Sequence, residues 1–230
     1  MKTIGLLGGM SWESSIEYER TINQAVRERL GGSNSAELLI RSFNFAKLAE
    51  LQESGNWDEI GRILANAAKE LESSGADVVL ICANTMHLLF DEIQAAVSVP
   101  VLHVADAAGE AIVSRGTKSV LLLGTRYTME KPFYADRLRD KFGLEVHVPA
   151  EDERNTIHEI IYGELVRGVI NPESHKKYLE ICERYTSQGV DGIIAGCTEI
   201  ELLINPEDFE VPLFATANLH AMAAVNFALA

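Results

Sequence analysis

Short apolar runs alternate along the chain with longer stretches in which apolar residues recur every three or four positions. Runs bounded by turn residues read as buried strands, and the longer stretches read as helices with one face to a core. The runs predict strands at Thr3–Leu7, Leu38–Phe43, Val78–Ile81, Val101–Val104, Ser119–Leu123, Glu145–Val148, Gly192–Ala195 and Leu213–Ala215. Helical spacing covers Ser14–Leu30, Trp57–Ser73, His87–Ala96, Tyr134–Lys141, Ile157–Val166, Pro172–Gln188 and a last helix from Ala217. Gly31-Gly32 ends the first of these, and Asn171-Pro172 opens a later one, as glycine and proline do at helix ends. Alternation of this kind predicts an α/β protein with parallel strands.

The pattern also repeats. Gly75-Ala76-Asp77 before VVLICANT answers Gly189-Val190-Asp191 before GIIAGCTE, 114 residues later. Leu6-Leu7-Gly8-Gly9 answers Leu122-Leu123-Gly124-Thr125 at 116 residues, and Val99-Pro100-Val101 answers Val211-Pro212-Leu213 at 112. Chance supplies one such match; three in the same order describe two similar halves. The expected division is a first domain of residues 1–104 with 212–230 and a second of 105–211. Ligands of parallel α/β sheets gather at the carboxyl ends of strands. Two such halves facing each other would share a cleft lined by the loops after Leu7, Ile81, Leu123 and Ala195.

Composition narrows the function. Apolar residues make up 47% and charged residues 23% of the 230, an ordinary globular balance. A net charge of -14 argues against a nucleic-acid surface, which needs clustered Lys and Arg. No apolar run reaches the roughly eighteen residues of a membrane helix, and MKTIGLLGGMSWESS reads as a first strand rather than a secretory signal. Three cysteines, an odd number, fit free thiols in a reducing, cytoplasmic setting better than a disulfide framework.

The chemistry-bearing residues cluster after strands. Gly8-Gly9-Met10-Ser11-Trp12 is neither a dinucleotide fingerprint nor a phosphate loop. It is either a tight strand-to-helix turn or an anion site, and the hydroxyls and guanidinium of the answering Gly124-Thr125-Arg126-Tyr127-Thr128 favour the anion site. Cys82-Ala83-Asn84-Thr85-Met86-His87 and Gly196-Cys197-Thr198-Glu199 each end a buried strand and precede a helix. Most lone cysteines are small buried hydrophobes, and Cys182, inside a helix, reads that way. Cys197 stands at a helix start, where a thiol's ionisation is brought toward neutral pH. His87 reads as a first-turn helix residue and His103 as a buried, satisfied one. The spacing from Cys82 to His87 has no second Cys/His pair to make a zinc site.

GLLGGMSWES, NTMH and GCTEI, in this order and spacing along essentially the whole chain, resemble the aspartate/glutamate racemase family, most closely its bacterial amino-acid racemases. The resemblance implies two pseudo-symmetric parallel α/β domains with the active site between them. It implies chemistry without pyridoxal phosphate or metal, and a homodimer. In the family two cysteines face opposite sides of the substrate's α-carbon; one thiolate removes the proton and the other thiol returns one. Oriented donors must stabilise the charge that develops on the α-carboxylate. On this reading the substrate is aspartate, glutamate or a related small amino acid, and Cys197 is the acid/base. Asn84, Thr85, Thr125, Thr128 and Thr198, with the Met10-Ser11 turn, hold the carboxylate. Glu199 either orients Cys197, contacts the amino group, or serves as a helix-start acid. Lys47 and Arg167 are weaker candidates for a side-chain carboxylate, with solvated surface charge as the alternative.

The sequence departs from the family at one point. The family's first cysteine directly precedes Asn-Thr; here that residue is Ala83, and Cys82 lies one step earlier. The internal repeat also aligns Ala83, not Cys82, with Cys197. A one-residue shift along a strand turns the side chain to the other face, so Cys82 is expected in the core and is the weaker candidate for a second base. Three readings stay open: a racemase with one thiol, a relative such as a single-cysteine decarboxylase working through an enediolate, or a replacement that traps substrate. A carboxylate-binding relative without turnover is a further class.

Overall fold

Strand β1, Ile4–Gly8, is buried at every position, as is β3, Val78–Ile81. Continuous apolar burial is what central strands of a parallel sheet covered on both faces require. They pair with each other, Leu7 opposite Ile81, while β2 (Leu38–Ser42) and β4 (Val101–Leu102) complete the order β2-β1-β3-β4, all parallel. Later in the chain β5 (Ser119–Gly124) and β7 (Gly192–Gly196) are the central pair, flanked by β6 (Glu145–His147) and β8 (Leu213–Ala215) in the order β6-β5-β7-β8. The two orders are the same when each strand is matched to its repeat partner, so the internal repeat is a duplicated four-stranded topology.

The computed structural model describes residues 1–230. The chain separates into two units, Met1–Val104 with His220–Ala230, and Ala105–Leu219. The sequence reading returned the chain to the first unit at 212; β8 pairs with β7, and the second unit runs on to Leu219.

Ten helices cover the sheets. In the first unit α1 (Trp12–Leu30) is N-capped by Ser11, and α3 (Trp57–Ser73) by Asn56. The α3 residues Ile60, Leu64, Ala68 and Leu71 share one face at helical spacing and close over Leu7, Val79 and Ile81. In the second unit α8 (Glu151–Gly163) and α9 (Pro172–Thr186) bury Ile157, Ile161, Tyr178 and Ile181 with Leu121, Leu123, Ile193 and Ala195. The other helices are α2 (Phe45–Glu53), α4 (Phe90–Ala95), α5 (Val104–Ser114), α6 (Arg126–Glu130), α7 (Pro132–Phe142) and α10 (Thr216–Leu229). No helix is long and apolar enough to cross a membrane.

Three of these, α2, α5 and α6, lie where the pattern predicted no helix. The α5 sequence VADAAGEAIVS is small and apolar almost all round, so no polar face marks its period, and α6 is one short turn. The expected helix His87–Ala96 is a 3-10 turn, Thr85–Leu89, followed by α4. The helix expected from Ile157 starts at Glu151, where the Glu153 carboxylate accepts from the Ala150 N–H at 2.9 Å.

Candidate active site

An order of 2-1-3-4 places a topological switch point beside the first and third strands, where connections leave toward opposite sides and ligand sites form at the carboxyl ends. In the first unit the residues there are Gly8 to Ser11 after β1 and Cys82 to Thr85 after β3. In the second they are Thr125 to Thr128 after β5 and Cys197 to Glu199 after β7. The sequence candidates Met10, Ser11, Ala83, Asn84 and Thr85 thus collect in one unit, and Thr125, Thr128, Cys197, Thr198 and Glu199 in the other.

After β1 the backbone turns back on itself at Gly9, with φ at 81°. A Cβ there would stand 2.4 Å from the Phe43 backbone nitrogen and oxygen, so only glycine fits. The Gly9 N–H donates to Ser15 Oγ at 2.7 Å, and that hydroxyl donates to the Ser11 carbonyl at 3.1 Å. This turn therefore spends its Gly9 donor internally. The Met10 side chain is buried in the apolar core with Ile81 and Met86.

After β3, Cys82 is fully buried and desolvation pushes its thiol far up. Ala83 keeps partial exposure, while Asn84 and Thr85 are buried. The Ala83 carbonyl lies 3.0 Å from His87 Nδ1, and the Val104 N–H donates to His87 Nε2 at 3.1 Å. Nε2 must be the acceptor, so Nδ1 carries the proton and donates to Ala83. His87 is therefore a buried neutral imidazole that fixes the strand end. His220 does the same for β4: Tyr18 Oη lies 2.9 Å from its Nδ1 and the Leu102 carbonyl accepts from its Nε2 at 2.9 Å. His103 packs between His87 and Phe90, its ring 4.8 and 4.6 Å from theirs.

In the second unit the strands carrying the site approach closely. A Cβ on Gly196 would meet the Leu123 carbonyl oxygen at 2.5 Å, and one on Gly124 would meet the Gly196 oxygen at 3.0 Å. Thr125 caps α6, accepting from the Thr128 N–H at 3.4 Å, and its hydroxyl lies 3.3 Å from the buried Thr128 hydroxyl. Cys197 is extended and partly exposed, and its Sγ–H donates to Glu199 Oε2 at 2.9 Å. Glu199 and Thr198 are buried.

The ionisation of Cys197 corrects the expectation from its helix-start position. The following helix is a five-residue 3-10 turn, Thr198–Leu202, with little dipole to offer. Desolvation, then the charge and hydrogen bond of Glu199, then the charge of Glu201, raise the thiol well above its usual range; the Glu199 backbone N–H opposes them without prevailing. Cys197 rests as a thiol. Tyr178 and Cys182 of α9 stand close behind it, and the phenol of Tyr178 is raised by burial first and then by Cys197, Cys182 and Glu164.

Lys47 on α2 and Arg167 are both exposed. Arg167 belongs to a 3-10 turn, Leu165–Arg167, packed on the Thr198–Leu202 turn. The sequence carried no sign that Tyr178 stands beside the thiol. Its only signal was helical spacing, which reads as core.

The chain thus carries a duplicated parallel α/β fold, with a thiol and a buried carboxylate after the central strand β7. The model of the Asp/Glu/hydantoin racemase family matches residues 7–224, and the chain belongs to that family. It is 25% identical over 234 residues to the broad specificity amino-acid racemase RacX of Bacillus subtilis (strain 168), covering 99% of this chain and 98% of RacX. Among solved structures it resembles a protein from Yersinia pestis provisionally assigned as an Asp/Glu racemase, with 46% identity, a TM-score of 0.94 and full coverage of both chains. An aspartate racemase homologue from Pyrococcus horikoshii OT3 matches over both whole chains at 38% identity and a TM-score of 0.87.

Proposed function

We propose that the chain is a cofactor-independent amino-acid racemase acting on aspartate, glutamate or a related small amino acid, with Cys197 as the group that exchanges the α-proton. The observation that carries this reading is the Cys197 thiol, partly exposed after β7 and hydrogen-bonded to the buried Glu199. Thr125, Thr128 and Thr198 carry hydroxyls at strand ends of the second unit, and Asn84 and Thr85 carry an amide and a hydroxyl after β3. Such donors stabilise the enediolate that forms when an α-proton leaves beside a carboxylate. The broad specificity of RacX supports a substrate range wider than one acid.

Ala83 stands where the family places its first cysteine, and Cys82 is buried with its ionisation suppressed. That favours one-thiol chemistry, and a second reading, decarboxylation of a substituted malonate through the same enediolate, shares it. Three free cysteines fit a reducing, cytoplasmic compartment, and homodimerisation follows the family pattern.

The test is incubation with single L- and D-amino acids in deuterium oxide, with chelator and without pyridoxal phosphate. α-Deuterium incorporation with a change of chirality supports the racemase. Release of carbon dioxide from an arylmalonate without amino-acid exchange supports the decarboxylase, and binding of an amino acid without either marks a non-catalytic relative.

A further inference from the structure

The turn that carries Thr125 and Thr128 is held from two sides. It opens α6, and the first N–H groups of a helix have no partner within it. Thr125 answers for one of them, accepting from the Thr128 N–H at 3.4 Å. A second answer comes from α8: the Arg126 N–H donates to His158 Nδ1 at 3.2 Å. Nδ1 is therefore an acceptor, and a neutral His158 carries its proton on Nε2. The half-buried ring lies 4.7 Å from that of Tyr162, one turn along α8, with Tyr127 edge-on at 6.3 Å.

The charges acting on this imidazole come from both helices, Arg126 and Glu130 from α6 and Glu159 from α8. Burial first, and then the Arg126 charge, hold His158 below the ordinary histidine range, and Glu130 and Glu159 oppose them without prevailing. Glu130 is itself paired with Arg154 of α8 at 3.0 Å. Three other elements pack on α8. β5 is apolar along Val120–Leu123, and the Leu165–Arg167 turn brings the exposed Arg167, with Glu164 before it accepting from Asn171. α9 brings Tyr178, whose hydroxyl goes to the Ile157 carbonyl at 3.5 Å.

We propose that His158 is a positioning residue for the substrate's α-carboxylate: its neutral imidazole pins the Thr125–Thr128 turn to α8, and protonation of Nδ1 unpins it. The substrate half of this role rests on the racemase reading. A proton taken from solvent onto Nδ1 sets one N–H donor against another, so the bond to Arg126 cannot survive. The hydroxyls of Thr125 and Thr128, 3.3 Å apart, then lose their fixed place. The pinned form holds through neutral pH, because a lowered histidine gains its second proton only below about 6.5.

The test compares wild type, His158→Phe and His158→Asn, with initial rates of α-deuterium exchange taken against substrate concentration between about pH 5 and 8. Phenylalanine keeps a ring against Tyr162 without an acceptor; asparagine keeps an acceptor oxygen near the place of Nδ1 and does not titrate. In the wild type KM should rise in acid by about three- to tenfold, the worth of one neutral hydrogen bond, with kcat moved less. His158→Phe should show the raised KM at every pH, and His158→Asn the low KM with no acid rise. Amide hydrogen exchange at Arg126, read at neutral pH without substrate, should be slow in wild type and His158→Asn and about three- to tenfold faster in His158→Phe. A His158→Asn protein that behaves as His158→Phe, or that keeps the wild-type acid rise in KM, overturns the proposal. If the wild type turns over no amino acid, the racemase reading fails and the Arg126 amide alone decides the pin: faster exchange only in His158→Phe upholds it, and equal exchange in all three proteins removes it.

Discussion

Gly196→Ala perturbs the site through the backbone alone. The added Cβ would stand 2.5 Å from the Leu123 carbonyl oxygen, and real Cβ atoms essentially never come nearer than 3.0 Å, so β5 and β7 must part by at least 0.5 Å there. The Leu123 oxygen is a backbone atom and cannot swing aside; Leu123 and Gly196 are both held in the parallel ladder, Ala195 opposite Leu123 and Gly196 opposite Gly124. Forcing a methyl into such a place costs about 1–3 kcal/mol. Cys197 is the next residue and moves with the strand end. Misplacement of a reacting group by about 1 Å costs on the order of 10² in rate, so half that costs about tenfold. Chemical denaturation reports the stability loss, and α-deuterium exchange at saturating substrate reports the rate. Gly124→Ala, whose Cβ would stand 3.0 Å from the Gly196 oxygen, serves as the milder control. A Gly196→Ala protein with native stability and undiminished exchange would refute the tight-strand account of how Cys197 is placed.

Ala83→Cys should raise inversion of the enantiomer now lacking a base by about 10²–10⁴-fold, the contribution of a well-placed acid/base group. Cys82→Ala should leave exchange unchanged because that thiol is buried and un-ionised; the reverse result in a chirality assay would assign the second base to Cys82. Burial pushes the Asp106 carboxyl up, but hydrogen bonds and charge from Arg137 and Lys141 outweigh it and lower the carboxyl below its ordinary value. A lowered carboxyl stabilises the fold above its unfolded value and loses that contribution as pH falls through the folded value. Asp106→Asn should therefore cost about 1 kcal/mol at pH 7, discounted for the partial exposure of the pair. The gap in Tm should close below about pH 4, and a gap that persists there would remove the ion pair from the explanation.

The sheets were legible in the sequence because buried strands leave unbroken apolar runs, and eight such runs fall on the eight strands. The repeat foretold the shared strand order, since VVLICANT and GIIAGCTE are matching central strands β3 and β7 with their site loops. What periodicity could not show was α5, whose polar face is nearly absent, or α6, too short to have a period. The candidate polar residues stand out because glycines, hydroxyls and cysteines follow strands in a recognisable order. Their electrostatics were not. A helix start argued for an acidic thiol at Cys197, but the turn there is short and the charge beside the sulfur is negative. Glu199 stood two residues from Cys197 in plain view, yet sequence could not decide whether its side chain turned toward the sulfur, the substrate or solvent. His87 gave no sign that its ring would bond the Ala83 carbonyl and the Val104 N–H, because both partners are backbone atoms.

The central claim is that Cys197 moves the substrate's α-proton. Comparing wild type and Cys197→Ser for α-deuterium incorporation into L- and D-aspartate, glutamate and neutral amino acids in deuterium oxide tests it most directly, with circular dichroism reporting an intact fold. The expected result is exchange in the wild type with at least one amino acid and its loss, by about 10²-fold or more, in the folded variant. Near-native exchange in folded Cys197→Ser would contradict the account.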